Sequence, residues 1–507
     1  MNHVYRLKRS GRTQQLQPVP ETARAAGKGT RTGKTLAQAV TGTLASFALG
    51  GIASLAYAQQ APPASAPTAT QLPQGGVVTR GSANIVTNTG QAQLTVNQSS
   101  NRAVIDWASF NVGSQAKVQF NQPSSSAVTL NNILGNNASQ IYGQISANGQ
   151  VFLSNPNGVY FSPTAQVNVG GLVATTGKAN ADEFMAGKAS FNRDGSTGSV
   201  VNQGQLTSAA GGYIALLAPE VRNQGVVVAQ AGTVALASGE AITLNFNHAG
   251  TGLAGITTTP QAIAALVENR SAVVAEGGQI ILSAHALASL QGAVVKNSGQ
   301  LSATSLSTQG GKIVLMGDSI ELTGTSQIQA SGATGGGTVL VGGDWQGSGD
   351  TRQATQVTMA SGASIEANAT GQGDGGKVVL WSDVHKAGGL TQVEGRIDAK
   401  GAGTGNGGQV ETSGHTLQVG AQTQVNTGGG EWLLDPSDIT ISSGTTSGIA
   451  LASNIYTPTT GAATSVVNAT TLVGNLATNN INITTTNTGT SGAATGNITV
   501  AADLSWA

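Results

Sequence analysis

Short runs of alternating apolar and polar residues fill most of this chain, and turn-forming residues separate them. The segment 201–220 reads VNQGQLTSAAGGYIALLAPE, and the segment 221–240 that follows reads VRNQGVVVAQAGTVALASGE. Their Asn-Gln-Gly elements begin at Asn202 and Asn223, 21 positions apart. Alternation with a period of two is typical of β-strands with one buried face, and repeats of about 20 residues are typical of a solenoid.

A second phrase, two glycines followed by a β-strand pattern, recurs further along the chain. Coils that stack at the ~4.8 Å strand spacing can bury alternate Val, Ile and Leu side chains, while Gly and Asn suit left-handed corners and aligned Asn side chains can form ladders. The sequence therefore predicts an all-β fold, a right-handed parallel β-helix with extra-helical strands and an N-terminal cap, because a β-propeller would need blade-length repeats and more aromatic residues. The phrase occurs as GGQIILS from Gly277, GGKIVLM from Gly310, GGTVLVG from Gly336, GGKVVLW from Gly375 and GGQVETS from Gly407.

Two segments depart from the strand pattern and predict helical excursions from the solenoid. Segment 258–270 reads TTPQAIAALVENR, where Thr259 suits a helix N-cap and Pro260 suits the first turn. Segment 180–187 reads NADEFMAG and predicts one short helical turn.

Composition and charge narrow the functional classes. Of the 507 residues, 72 are Gly and none is Cys, and only 9% are charged and 4% aromatic, which is unlike an ordinary enzyme domain. Residues 1–34 carry eight Lys or Arg and one acid, whereas the chain from Gln59 onward is acidic, with 15 basic and 22 acidic residues. A nucleic-acid-binding protein concentrates its basic residues on the folded part, so the sequence predicts no nucleic-acid partner.

The N-terminal segment has the features of a signal peptide. Segment 35–55 is uncharged and made of small or apolar residues, it follows the basic region, and it leads into Ala56-Tyr57-Ala58. Small residues at Ala56 and Ala58 predict cleavage after Ala58, so that 1–58 is the signal peptide and 59–75 a Pro/Ala/Thr-rich linker. The alternative is a membrane anchor, since about 20 apolar residues can span a bilayer.

A search for catalytic and metal-binding patterns predicts neither an enzyme nor a cofactor. The acidic residues Asp344, Asp374, Asp383 and Asp398 form no local cluster, although coil stacking could bring two of them together. The five His residues include no metal-spaced pair, and the chain has no nucleophile elbow and no phosphate loop. We therefore predict no catalytic residue, no metal site and no cofactor.

Several long stretches resemble a known family. The N-terminal sequences MNHVYRL and ETARAAGKG resemble the extended signal peptides of large Gram-negative exoproteins. Residues 76–246 resemble the N-terminal secretion domain of the filamentous haemagglutinin family, the exoproteins of two-partner secretion. The matching text is NNILGNNASQIYGQISANGQVFLSNPNGVYFSP from Asn131, VNVGGLVATT from Val167, ADEFMAGKASF from Ala181 and GGYIALLAPEVRNQGVVVAQAGTVALASG from Gly211, and GGGEWLLDPSDITIS from Gly428 resembles a phrase found further along such proteins.

The resemblance implies two secretion motifs. A motif linked to secretion by the partner corresponds here to Asn155, Pro156, Asn157, Gly158 and Val159, with Val in place of the family's Ile. Pro and Asn-Gly also suit a tight turn, so the motif can shape a corner, contact the partner, or do both. An earlier family motif is matched without its Pro by Asn131, Asn132, Ile133 and Leu134.

The resemblance also implies partners and a location. Inner-membrane secretion machinery and signal peptidase would act first, and an outer-membrane β-barrel transporter with periplasmic POTRA-type domains would follow. The chain would then fold outside a Gram-negative cell as a secreted, cell-surface adhesin with a host-cell receptor or glycan as its ligand. The alternatives are the stalk of a secreted toxin, of the contact-dependent inhibition or haemolysin type, and a carbohydrate-active β-helix enzyme.

The domain organisation expected on this basis has three parts after the linker. Residues 76–310 form the two-partner secretion (haemagglutination activity) domain, and 311–441 form further β-helix repeats. Residues 442–507 form a Thr/Asn/Gly-rich β continuation that ends without a polar capping coil, from which we expect a truncated chain.

Overall fold

The computed structural model describes residues 65–290, 292–349, 351–420, 422–436 and 465–483, and in addition the backbone of six short strands. The chain forms two units, Met1–Ala61 and Pro62–Ala507. In the first unit the described part is an antiparallel pair, Tyr5–Arg9 with Leu16–Pro20. The predicted cleavage residues Ala56 and Ala58 lie outside the described residues. The six strands are Tyr5–Arg9, Leu16–Pro20, Ile439–Ser442, Ile449–Ala452, Ile455–Pro458 and Ile498–Val500.

Stacked parallel strands of the second unit form three sheets, which confirms the predicted parallel β-helix. Sheets 1 and 2 join through two long strands, Gln166–Thr175 and Gln205–Leu217, that run through both sheets and pair with each other in register. Sheet 1 also contains Gln93–Gln98, Lys117–Asn121, Gln144–Ala147, Val226–Val228, Ala272–Val274, Gln300–Ser302, Gln327–Gln329, Ser364–Glu366, Arg396–Asp398 and Gln424–Asn426.

Sheets 2 and 3 complete each coil. Sheet 2 contains Arg102–Trp107, Val128–Ile133, Gln150–Ser154, Thr233–Ser238, Gln279–Ala284, Lys312–Met316, Thr338–Val341, Lys377–Trp381, Gln409–Gly414, Glu431–Pro436 and Asn480–Ile483. Sheet 3 contains Ser139–Ile141, Val159–Phe161, Ser199–Asn202, Glu220–Asn223, Ala265–Asn269, Ala293–Asn297, Ser319–Leu322, Gln356–Met359, Leu390–Val393, Thr416–Val419, Ser465–Asn468, Ile439–Ser442 and Ile498–Val500. Alternate Val, Ile and Leu side chains of the three sheets point inward and form one continuous core.

The recurring Gly-Gly phrases lie at the corner between sheets 1 and 2, where the second glycine of each phrase stacks on that of the previous coil. A Cβ atom on Gly337 would lie 2.2 Å from the carbonyl oxygen of Gly311, and one on Gly376 would lie 2.2 Å from that of Gly337. Any side chain would therefore collide with backbone of the neighbouring coil. We call this stack, from Gly278 through Gly311, Gly337 and Gly376 to Gly408, the glycine column.

The expected asparagine ladder is present at the end of the sheet 3 strands. Asn202, Asn223 and Asn269 each donate a 2.8 Å hydrogen bond from Nδ2 to Oδ1 of the next Asn, and Asn297 ends the ladder by donating to Oγ of Ser326 at 2.7 Å. Successive members of this ladder are 21, 46, 28 and 29 residues apart in the sequence. The repeat of about 20 residues therefore holds at the first step, and later coils carry insertions.

An extra-helical layer covers the outer face of sheet 2 in the N-terminal coils. A four-stranded antiparallel sheet and the helix Ala181–Met185 place Phe184, Phe191 and Leu244 against Phe152 and Tyr213, which forms a second apolar core. The short helical turn predicted at 180–187 is thus confirmed, with Asn180 as its N-cap. The four strands are Lys178–Ala179, Ser190–Asn192, Ala241–Phe246 and Leu253–Thr258.

The helix predicted over 258–270 is wrong. Thr258 is the last residue of the extra-helical strand Leu253–Thr258, and Ala265–Asn269 is a strand of sheet 3. Ala265 and Val267 point into the core while Glu268 points outward to pair with Arg222. Tertiary packing with a period of two therefore overrides the helical spacing of the apolar residues.

Both ends of the stack have their own elements. At the N-terminal end, Val77–Arg80 pairs antiparallel with Arg102–Trp107, and Ala83–Asn88 pairs antiparallel with Gln93–Gln98, which confirms the predicted cap. At the other end lies a helix that the sequence did not predict, Ala469–Leu476, whose Asn475 accepts a 2.6 Å hydrogen bond from the backbone of Val425. Three 3₁₀ turns complete the described elements: Thr89–Gln91, Ala288–Leu290 and Trp345–Gly347. None of the helices in the described ranges is long and apolar enough to cross a membrane.

Candidate recognition corner

The Asn-Pro-Asn-Gly motif forms the turn between sheets 2 and 3. Strand Gln150–Ser154 ends just before it, and Val159–Phe161 begins just after it. The amide of Gly158 donates a 3.0 Å hydrogen bond to the carbonyl of Asn155, which closes a tight turn over Pro156 and Asn157. Gly158 has a backbone φ of +119°, a conformation that residues other than glycine rarely adopt.

Asn155 is completely buried, and every polar atom of its side chain has a partner. Its Nδ2 donates to the carbonyl of Asn137 and to Oγ of Ser139, both at 3.0 Å, and its Oδ1 accepts from the backbone and side-chain nitrogens of Asn157 at 3.0 and 3.2 Å. Its backbone amide donates to the carbonyl of Thr175 in the next coil at 2.9 Å. Asn155 therefore fastens its own corner to the coils on both sides.

Asn157 and Pro156 lie on the outside of the same turn. The Asn157 side chain is exposed and donates a 2.8 Å hydrogen bond to the carbonyl of Gly135, and the carbonyl of Pro156 accepts a 2.6 Å hydrogen bond from Oγ of Ser196. The turn is thus held between the loop 134–138 of one neighbouring coil and the loop 193–198 of the other.

The second predicted segment, Asn131 to Leu134, lies on the preceding coil beside the turn. Asn131 pairs with Leu153 and Asn132 with Ser154 in the parallel register. Asn131 is buried, accepts from the Trp107 indole at 3.0 Å and donates to the carbonyl of Phe152 at 3.1 Å, whereas Asn132 donates to Asp106 at 3.1 Å. Ile133 packs in the core, and Leu134 points to solvent with 67% of its surface exposed.

Leu134 is part of an apolar groove that sequence reasoning missed. The groove has a volume of about 470 Å³, and its lining includes Leu134, Val77, Trp107 and Ala108. Val77 is 60% exposed, and its strand Val77–Arg80 pairs with Arg102–Trp107 alone, so its other edge pairs with no strand in the described part of the chain. We call this feature the cap groove. Val77 and Leu134 come from different parts of the sequence, so no local pattern could have indicated it.

The side chains that hydrogen-bond with the turn residues are neutral amides and hydroxyls, those of Ser139, Asn157 and Ser196. Tyr160, which follows the motif, donates a 2.7 Å hydrogen bond to Gln203, and its ring lies 6.0 Å from that of Tyr142. Burial, and to a smaller extent the nearby Tyr142, raises the pKa of Tyr160 above its ordinary value. Tyr160 is therefore a neutral hydrogen-bond donor at physiological pH.

Two of the four dispersed acids lie close to another carboxylate. Asp344 lies near Glu411, and Asp398 pairs in register with Glu366 of the neighbouring strand, with Arg396 beside both. Asp374 accepts a hydrogen bond from the backbone of Asn406. Within the described ranges, no three His, Asp or Glu side chains come close enough together to hold a metal ion.

Comparison with protein families decides the membership of the chain. The model of the TPS secretion domain matches residues 69–333, and that of the Extended Signal Peptide of Type V secretion system matches residues 1–50. The chain belongs to the family of two-partner secretion (TPS) exoproteins. It is therefore an exported protein of a Gram-negative bacterium, as the sequence predicted, and its secretion domain implies a dedicated outer-membrane transporter. The predicted bounds, 1–58 and 76–310, stay predictions.

Two curated relatives and one solved structure illustrate the similarity. Two heme/hemopexin-binding proteins of Haemophilus influenzae are 33% identical over 276 residues and 31% identical over 294 residues, which is 52% and 54% of this chain but 29% and 30% of those proteins. The chain thus spans about three tenths of the length of the curated relatives it matches. The crystal structure of the HMW1 secretion domain from Haemophilus influenzae is 28% identical in sequence and superposes with a TM-score of 0.58. The matched region covers 72% of this chain and 100% of the HMW1 chain.

Proposed function

We propose that the outer-membrane β-barrel partner recognises this TPS exoprotein through POTRA-type periplasmic domains, at two adjoining features together. One is the recognition corner, by which we mean Asn131–Leu134 and Asn155–Val159, and the other is the cap groove. One observation carries this proposal: Asn131–Leu134 and Asn155–Val159 lie on adjacent coils of one corner, and Leu134 connects that corner to the open edge of Val77–Arg80. Inner-membrane secretion machinery and signal peptidase, with Ala56 and Ala58 as the cleavage residues, act before this step.

Burial separates the roles of the two asparagines in the motif. All hydrogen-bonding positions of the Asn155 side chain are occupied inside the folded chain, so a partner can contact Asn155 only before the corner folds. Asn157, Leu134 and Val77 stay accessible after folding, so recognition at the cap groove requires the N-terminal coils to fold in the periplasm before the rest of the chain passes the barrel and folds outside. An open strand edge beside an apolar groove suits the addition of a strand from the partner, because the main chain supplies hydrogen bonds and the groove takes a side chain.

Outside the cell, the β-helix acts as an adhesin with a host-cell receptor or glycan as its ligand. Export and a solenoid with exposed corner loops support this role. Capture of heme or hemopexin is the second candidate, because the curated relatives carry that name. No observation in the described residues specifically supports the two other functions, the stalk of a larger toxin and a carbohydrate-active enzyme. We assign no catalytic residue.

Binding measurements on the purified mature chain distinguish these two roles. Titration with hemin, followed by its Soret absorbance, and surface plasmon resonance with hemopexin test the second candidate. An adhesin without heme chemistry would leave the Soret band of free hemin unchanged and would still bind cultured host cells. Saturable binding of hemin or hemopexin, without binding to cells, would contradict the adhesin role.

Secretion of the chain is expected to depend on the partner and on the cap groove. The chain is expressed in a Gram-negative host with and without its β-barrel partner, and the medium is assayed for processed protein that starts at Gln59. Replacing Leu134 or Val77 with serine removes exposed apolar surface without opening the core, so release is expected to fall at least about tenfold while the folded product keeps its stability.

A matched control is Leu306→Ser, because Leu306 is 95% exposed and lies in a loop between sheets 1 and 2, away from the recognition corner. Release of this variant should equal that of the wild type. Equal release of Leu134→Ser and Val77→Ser would exclude the cap groove as a recognition surface, and release without any barrel partner would contradict partner-dependent secretion.

A further inference from the structure

Segment 342–353, of which every residue but 350 is described, leaves sheet 2 after Thr338–Val341, and its described residues pack over the outer face of that sheet. Its Trp345 packs on a small apolar cluster, separate from the main core, to which Trp381 contributes. The Trp381 indole donates a 3.2 Å hydrogen bond to Gln353 of the segment, and the Lys377 ammonium lies 5.9 Å from the centre of the Trp345 ring. The cluster consists of Val314, Leu340, Val379, Trp381 and Val384.

The segment is attached to coils on both sides of its own. On the upstream side, Arg352 donates to Oδ1 of Asp318 at 3.2 Å and to the carbonyl of Ala284. On the downstream side, the amide of Gln346 donates to Oε2 of Glu411 at 2.8 Å, across 65 positions in the sequence. In a solenoid each repeat normally contacts only its neighbours, whereas this segment connects residue 284 to residue 411.

The downstream attachment depends on a buried carboxyl group surrounded by like charges. Glu411 is 0% exposed, and besides Gln346 it accepts a 2.8 Å hydrogen bond from Oγ of Ser413. Asp344 of the segment and Asp435 of the next sheet 2 strand are the acidic groups that face it, and Lys377 is the cation packed against the segment. Gln346 itself has φ +52°, which is unusual for a residue other than glycine.

We propose that segment 342–353 is a pH-dependent staple, which clamps the coils between Ala284 and Glu411 in mildly acidic surroundings and loosens in neutral and alkaline ones. The inference is independent of the proposed function, because none of these residues lies at the recognition corner. After export, a change in the pH of the surroundings would therefore change the stiffness of the coils between Ala284 and Glu411.

The direction of the pH dependence follows from the environment of Glu411. The pKa of Glu411 is raised from 4.5 to about 7, chiefly by burial and to a smaller extent by Asp435 and Asp344, while the hydrogen bonds from Gln346 and Ser413 oppose the change. Glu411 therefore binds its proton more tightly when the segment is docked over it than when the segment is undocked. The contribution of Glu411 to docking is complete below pH 4.5 and is lost as the pH rises towards about 7. Above pH 7 the equilibrium constant for docking is lower than at acidic pH by at most about 300-fold.

Hydrogen–deuterium exchange of the purified mature chain tests the staple. After correction for intrinsic exchange rates, amides of 343–349 are expected to lose up to about 70-fold in protection between about pH 5 and about pH 8, the limit reached if undocking returns the pKa of Glu411 from about 7 to 4.5. Glu411→Gln keeps an acceptor for Gln346 but cannot ionise, so its protection should be equal at both pH values. Glu394→Gln, outside the staple, should retain the wild-type change.

Two further variants keep the test decisive if Glu411→Gln does not fold. Arg352→Ala should lower protection of 343–349 at every pH, because it removes the upstream attachment to Asp318 and Ala284. Asp435→Asn removes a like charge, lowers the pKa of Glu411, and should move the loss of protection to lower pH. Constant protection of the wild type, or a change that persists in Glu411→Gln or fails to move in Asp435→Asn, would overturn the proposal.

Discussion

Replacing Asn155 with alanine is expected to lower the free energy of unfolding of the mature chain by about 3 kcal/mol. The change leaves the buried Ser139 hydroxyl, the carbonyl of Asn137 and the amide of Asn157 without their present partner, and a buried polar group without a partner costs roughly 1–3 kcal/mol. Urea unfolding measures the effect. Asn157→Ala, which removes an exposed side chain from the same turn, is expected to cost only about 1 kcal/mol.

Comparison with a ladder variant separates folding from recognition. Asn223 is equally buried and hydrogen-bonded but lies outside the motif, so Asn223→Ala is a matched destabilised control. If Asn155 acts only through the folded corner, both variants should lose secretion to the same degree. A larger loss in Asn155→Ala would show that the partner contacts this residue in the extended chain. An unchanged free energy of unfolding for Asn155→Ala would contradict its structural role.

Local and periodic features of this fold could be predicted from the sequence. Each Gly-Gly phrase leads into a sheet 2 strand because the corner before it has no room for a Cβ atom, as at Gly337. The Asn-Gln-Gly elements at Asn202 and Asn223 predicted stacking, because identical coils place identical side chains on top of each other. The turn of Asn155–Gly158 could be predicted from local backbone preferences, because Pro fixes φ and Gly permits the positive φ that Gly158 adopts.

Features that depend on contacts between distant coils could not be predicted. Segment 258–270 has helical spacing of its apolar residues, but Val267 is needed in the core and Glu268 beside Arg222, so the segment forms a strand. The cap groove joins Val77 to Leu134, and the staple joins Gln346 to Glu411. No local pattern encodes these pairs, because their positions depend on the lengths of the insertions between coils.

Replacing Gly337 with alanine is expected to destabilise the C-terminal coils by about 3 kcal/mol, or to prevent their stacking. The new Cβ atom would lie 2.2 Å from the carbonyl oxygen of Gly311 and 2.7 Å from that of Ala330, both of which are backbone atoms. Inserting a methyl group into close-packed structure typically costs 1–3 kcal/mol even where side chains can move. Here the strands on both sides of the corner would have to separate. Urea unfolding and proteolysis of residues C-terminal to Gly337 measure the effect.

Gly255→Ala is the matched control, because a Cβ atom at Gly255 has no neighbour within 4 Å and its strand Leu253–Thr258 belongs to the extra-helical sheet. That change is expected to be neutral or to stabilise the chain by up to about 1 kcal/mol, through the lower entropy of the unfolded state. Equal stability of Gly337→Ala and Gly255→Ala would show that the glycine column is not closely packed. A large loss in Gly337→Ala alone would show that the recurring glycines are required by the distance between coils, because both variants change the unfolded chain in the same way.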